Sequence, residues 1–272
     1  MPQFGYQRLG HGAGGSAAPK VPTELAASGK QLLSGAEGSS HTTQHTTPSG
    51  DNRLLVAVVN SGDEDGNWPV LVSGITYNGD SMTSAFSDTG SFSMRHMTGQ
   101  VFYLVSPDVG ADQDLVTTMA SSLNYTQNTM IGLYWFTGAS QSDPITTPQS
   151  EFGAITSVTA FNESAEHEDG GHGIFQIMTR NNNSSCYGVG DNGSDVTHPI
   201  SMTVSGSDYF HEQLFYTGYP ASPRHTGWSG TLAFEEAGEN GNNQEFYSLP
   251  LQTSGCIGTN QWRWITTTIN PV

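Results

Sequence analysis

An all-β, antiparallel sandwich with an extended N-terminal arm is the fold this sequence predicts. Three short apolar segments, a high glycine and turn-residue content, and the scarcity of helix-forming runs carry that prediction. The segments are RLLVAVVN at 53–60, QVFYLVSP at 100–107 and IGLYWFTG at 131–138. In each, both side-chain parities are apolar, so a strand there must be covered on both faces. Glycine occurs 33 times in 272 residues, in keeping with many short strands joined by turns.

Residues 1–49 differ in composition from the rest and predict an arm. They are rich in Gly, Ala, Ser and Thr and lack a sustained hydrophobic period. Thr23–Leu33 is the only stretch here with a helix signal, Thr23 acting as N-cap and Glu24 lying in the first turn. Such an arm lacks the apolar content to fold alone and is expected to become ordered on a neighbouring subunit. His41 and His45 are expected to sit free on it.

The body is expected to span 50–272 as one domain. After RLLVAVVN comes VLVSGITY at 70–77, closed by Asn78-Gly79, a favoured hairpin pair. Asp80–Ser87 and Ser91–Met97 read as short strands or loop. QVFYLVSP ends at Pro107, DLVTTMASS at 114–122 alternates as a strand, and IGLYWFTG closes this half. Further strands are expected at Ile155–Phe161, Gly173–Arg180, Ile200–Val204, Glu212–Thr217, Gly230–Glu236 and Gln261–Ile269. With no proline-rich linker near Thr146–Gln149, a single sandwich of about ten strands is preferred to two domains. In the last strand Trp262 and Trp264 alternate with Arg263, which predicts one solvated face.

The order NRLLVAVVNS, GITYNGDSMT, QVFYLVSP and IGLYWFTGASQSDPI resembles jelly-roll-type β-sandwich structural proteins of tailed phages and related bacterial surface proteins. The likeness covers residues 50–147 and is weaker over 148–272, where long polar insertions depart from the pattern. It implies a capsid-decoration or tail-associated role in a virion, or adhesion at a cell surface. It implies partners among other virion proteins, such as a major capsid or tail protein, and a homo-oligomer. It transfers no active-site residue.

Charge excludes some function classes. There are 25 acidic and 8 basic residues, a net charge of −17, and no cluster of Lys and Arg to displace counterions from nucleic acid. An anionic membrane would repel the chain. No stretch approaches the roughly 20 apolar residues of a membrane helix. The start MPQFGYQRLGHG lacks the basic segment and apolar run of a secretory signal, so the expectation is a soluble chain that, if it works outside a cell, leaves by a route other than a cleaved signal, release by lysis within a virus particle being one such route. Cys186 and Cys256 could pair, yet two thiols make no disulfide framework. Asn-x-Ser/Thr triplets at Asn124, Asn162, Asn182, Asn183 and Asn192 suit chance in so polar a chain.

Few constellations carry chemistry. The segment from Glu166 to His172, EHEDGGH, gathers two imidazoles and three carboxylates, so His167, His172 and Asp169 form a candidate divalent-metal site. A solvated acidic loop is the competing reading. Asp63, Asp65 and Asn67 resemble the opening of a calcium loop, but no closing glutamate follows. Gly79-Asp80-Ser81 matches an esterase triplet without the strand-to-helix turn that chemistry needs. Glu235 and Glu236 are sequence neighbours and poor candidates for opposed glycosidase carboxylates. Aromatics in the second half, with Trp228, Tyr219 and Tyr209 foremost, are candidates to stack on sugar rings beside polar groups. The leading expectation is thus a non-enzymatic virion protein without a cofactor. The alternative is a carbohydrate- or receptor-binding module, extracellular or at a cell surface.

Overall fold

The computed structural model describes residues 21–34, 38–63, 70–92, 95–123, 127–155, 161–166, 170–180, 203–204, 210–218, 223–233, 244–249 and 260–272. Among them are seventeen strands and no helix. The strands are β1 (Glu24–Ser34), β2 (Gly38–Thr47), β3 (Leu54–Asp63), β4 (Val72–Tyr77), β5 (Asp80–Ser81), β6 (Thr83–Phe92), β7 (Arg95–Val105), β8 (Gly110–Leu123) and β9 (Gln127–Thr137). They continue as β10 (Gln149–Ile155), β11 (Phe161–Glu166), β12 (His172–Arg180), β13 (Thr203–Val204), β14 (Phe210–Gly218), β15 (Pro223–Ala233), β16 (Gln244–Leu249) and β17 (Asn260–Ile269). Every pairing is antiparallel.

The three apolar segments become β3, β7 and β9, adjacent in a central sheet of order β1-β9-β3-β7-β6. Both faces of that sheet are covered. Leu55, Ala57, Val59, Phe102, Leu133 and Trp135 pack with Val72, Ile75, Tyr77 and Leu115 of a flanking sheet, β2-β8-β4-β5. On the opposite face Leu54, Val56, Val58, Val101 and Phe136 pack with Ile174, Ile265 and Ile269 of a second flanking sheet, β10-β17-β12-β15-β14. A continuous apolar run in β3 is therefore what a middle layer requires: odd residues serve one core and even residues the other. A small sheet, β11-β16-β13, approaches β17 through β11. The all-β antiparallel class thus holds and the stacked sheets are compatible with a sandwich, with seventeen strands among the described residues where about ten were expected.

Other expectations are corrected. Residues 24–47 are neither helix nor arm: β1 pairs with β9 and β2 with β8 of the same chain. Thr23–Leu33 has only a weak helix signal, and pairing with β9, which buries Gln31 and Leu33, overrides it. Of the strand expected at Ile155–Phe161 only the two ends are described, Ile155 closing β10 and Phe161 opening β11; residues 156–160 lie outside the described residues. Solvent does not wet one face of β17. Residues 263–270 are all buried, with Trp264 stacked on Phe175 at 6.3 Å and Arg263 turned towards the central sheet. The Asn78-Gly79 turn forms as expected, with both residues at positive φ (49° and 89°), the requirement of a type I′ hairpin.

Candidate functional site

His172 shows how burial decides chemistry here. It opens β12, is 4% exposed, and lays its ring against Phe136 with centroids 5.3 Å apart. Its Nδ1 lies 2.6 Å from the Thr23 hydroxyl, which donates to the Gly170 carbonyl at 3.0 Å. With the single hydroxyl proton spent on Gly170, Nδ1–H is the donor to Thr23. The Thr23 amide donates to the same carbonyl, at 2.8 Å, and the Val21 amide donates to Val272 O at 2.8 Å. Two glycines make room for the crossing: a Cβ on Gly138 would meet Pro22 O at 2.4 Å, and one on Gly170 would meet Pro22 Cα at 3.2 Å. His172 therefore pins the residues just before β1 to the start of β12. His167 and Asp169, the other two candidate ligands, lie outside the described residues. No group of three or more His, Cys, Asp or Glu forms a metal-holding cluster among the described residues.

Desolvation lowers the His172 pKa to about 4. The unfolded chain takes up its proton near pH 6.5 and the folded chain only near pH 4. Stability is thus held above pH 6.5 and lost as pH falls towards 4, by about 3 kcal/mol in all. Urea unfolding of wild type and of His172→Phe at pH 7 and pH 4.5 checks this. The wild type should lose more stability than the variant over that interval, and parallel losses would remove the effect from His172.

A second group of polar side chains lies between the central sheet and β10-β17-β12-β15-β14. Arg263 is 0% exposed. Its Nη1 donates to Met97 O at 2.9 Å, and its Nη2 to Ser150 Oγ at 2.7 Å and Asp88 Oδ2 at 2.5 Å. Burial lowers its pKa and the Asp88 charge opposes that shift; an arginine remains a cation under such conditions. Gly99 and Asp88 are direct cross-strand partners, so the missing side chain at 99 opens the path from β17 to the carboxylate. Deeper in, Asn60 Nδ2 donates to Gln176 Oε1 at 2.8 Å, and the Tyr134 hydroxyl meets Ser229 Oγ beside Gly132. Burial pushes the Tyr134 phenol well above its ordinary value, against the pull of the Ser229 contact.

This arrangement joins layers. Among the described residues Ser150 contacts a carboxylate and a guanidinium and no imidazole. Ser229 and Tyr134 are both buried in the interlayer core. The other face of the central sheet is joined in the same way. Gln100 accepts from Val72 N and donates to Val72 O, each at 2.9 Å, and Thr117 Oγ1 donates to Gln31 Oε1 at 2.6 Å.

The remaining candidates fall as follows. His45 packs its ring on Trp135 at 5.6 Å, half-buried with its pKa lowered by desolvation, so it is not free on an arm. His41 is likewise part of β2, with Nε2 buried. Ser81 is exposed in the two-residue β5 and follows the hairpin turn, not a strand-to-helix elbow. Trp228 sits in β15 at the register position between Leu214 and Ile177, its side chain outside what is described. Tyr219, Tyr209, Cys186, Cys256 and residues 64–69 of the calcium-like loop also lie outside the described residues. Sequence reasoning missed Arg263, Asp88, Ser150, Gln100 and Gln176. The available signals were a glycine inside an apolar strand, Gly99, and an arginine between two tryptophans. No family model, characterised protein or solved structure matches the chain.

Proposed function

We propose that this chain is a non-enzymatic structural protein of a virus particle, a rigid body anchored to its neighbours through the segment that precedes Val21. The observation that carries this reading is the position of Val21. Val21 and Val272 are hydrogen-bonded to each other, and the N-terminal end of β1 lies with Gly138, His172 and Ile269 at one end of the stacked sheets. The strand ends Asp63, Phe92, Leu123, Arg180 and Gly218 lie at the other. A module tied at one end presents the opposite end outward, the geometry a decoration or tail-associated protein needs. The committed internal roles of Arg263, His172 and Tyr134 suit a body that bears load. The strong negative charge, which keeps particles apart, supports the same reading.

Cross-linking mass spectrometry on native material tests it. Lys20 should link to a different virion protein, such as a capsid or tail subunit, or to a second copy. Links from Lys20 only to the body of its own chain would defeat the anchoring role.

A further inference from the structure

We infer that the outer edge of β2, which has no strand partner besides β8 among the described residues, is a contact between two copies of this chain, joined antiparallel so that two four-stranded sheets become one continuous sheet. A sheet edge offers unpaired backbone groups to any second strand, and proteins blunt such edges with charge, proline, bulges or shortness. The other edges here are guarded. Among the described residues β1 carries Lys30, β6 Asp88, β10 Glu151, β14 Glu212 and β11 Glu163 and Glu166, while β5 and β13 are two residues long. β2 is ten residues long, GSSHTTQHTT, and has no Asp, Glu, Lys, Arg or Pro. Among the described residues it pairs with β8 alone, in regular register from Ser40 to His45 between two irregularities. One carbonyl of this strand, that of His41, accepts a long contact from Gln31 at 3.4 Å.

Charge selects a second copy as the occupant. A chain of net charge −17 repels itself over most of its surface, and two copies approach best along an uncharged strip. The nearest acids on this sheet are Asp112 and Asp114 of β8, and Asp114 accepts from Gln44 at 3.1 Å. With β2 paired to its copy, the two β8 strands stand three interstrand spacings apart, about 14 Å. That exceeds the roughly 8 Å screening length at physiological salt. Leu32, 38% exposed on the neighbouring edge β1, adds apolar surface on the same flank. The contact deepens the assembly reading by naming a surface, and the two fail separately: the dimer is read in solution, the anchor by cross-links from Lys20.

Sedimentation equilibrium of the full chain tests it. Wild type should dimerise reversibly. Ser40→Glu with Thr42→Glu places like charges across the dyad at two exposed positions and should weaken the dimer at least tenfold, with the thermal melt of the monomer unchanged. Ser40→Lys with Thr42→Lys should do the same alone, while an equimolar mixture of the two variants should restore the dimer. A wild type that stays monomeric at every concentration overturns the inference. So does a dimer indifferent to both charge pairs, or a β2 edge that takes up a different protein in place of a second copy.

Discussion

Gly99→Ala should destabilise the fold by about 4 kcal/mol, the joint cost of overpacking and of displacing a buried cation. The added Cβ would stand 2.5 Å from Arg263 Nε and 2.8 Å from Ile265 Cδ1. Both neighbours are fully buried, so neither has space to retreat. Moving the guanidinium away would stretch its bonds to Met97 O, Ser150 and Asp88 together. The effect is therefore coupled to Arg263. In an Arg263→Met background the alanine meets a flexible thioether, and the part of its cost owed to the guanidinium should vanish while the contact with Ile265 remains. A double-mutant cycle by urea unfolding reads this coupling directly. Strict additivity would mean that Gly99 matters for some reason other than the arginine. Within the same cycle, Asp88→Ala should cost about 3 kcal/mol by leaving the arginine without its counter-charge, moderated because the Asp88 side chain is 49% exposed. Removing Arg263 and Asp88 together should cost less than removing Asp88 alone.

Particular residues show how much of this was legible beforehand. The middle layer was written in RLLVAVVN, because a strand with apolar residues at both parities has no solvated face to offer. The hairpin was written in Asn78-Gly79, because few residue pairs tolerate two successive positive φ angles. The first two strands were not written locally. ELAASGKQLLS has no strand alternation of its own and becomes β1 because β9 presents a free edge and a core that Leu33 completes. Arg263 was misread for a related reason. Period-2 alternation says which residues share a face, while only the tertiary fold says that the face opposite the tryptophans meets another sheet and a glycine. Of the candidate metal ligands only His172 is described; β12 carries its ring inward to Thr23 and Phe136, a direction that sequence proximity to His167 and Asp169 does not fix. The β2 edge was invisible in sequence because an edge is a property of sheet order.

Gln100 should prove the most costly polar substitution on the other face of the central sheet. Val72 opens β4 at a point where the register with β8 shifts, and the Gln100 amide completes both its backbone groups as a paired strand would. Both residues are buried, so no water replaces the amide when it is removed. Gln100→Met keeps the length and loses both bonds, leaving a donor and an acceptor unsatisfied at a cost of about 3 kcal/mol. Gln100→Glu separates the two halves of the strap. Its carboxylate accepts from Val72 N but faces Val72 O with no proton to give, and it buries a charge. Protonation restores a donor, so the folded state holds that proton more tightly than the unfolded chain does. The deficit of the glutamate variant relative to wild type should therefore shrink as pH falls through the carboxylate range. Denaturant midpoints for the three proteins at pH 7 and pH 4.5 separate the outcomes. A methionine variant within about 1 kcal/mol of wild type would mean that Val72 finds other partners. A glutamate deficit independent of pH would mean that its side chain has swung out to solvent, and that the two sheets are held at this point by apolar packing alone.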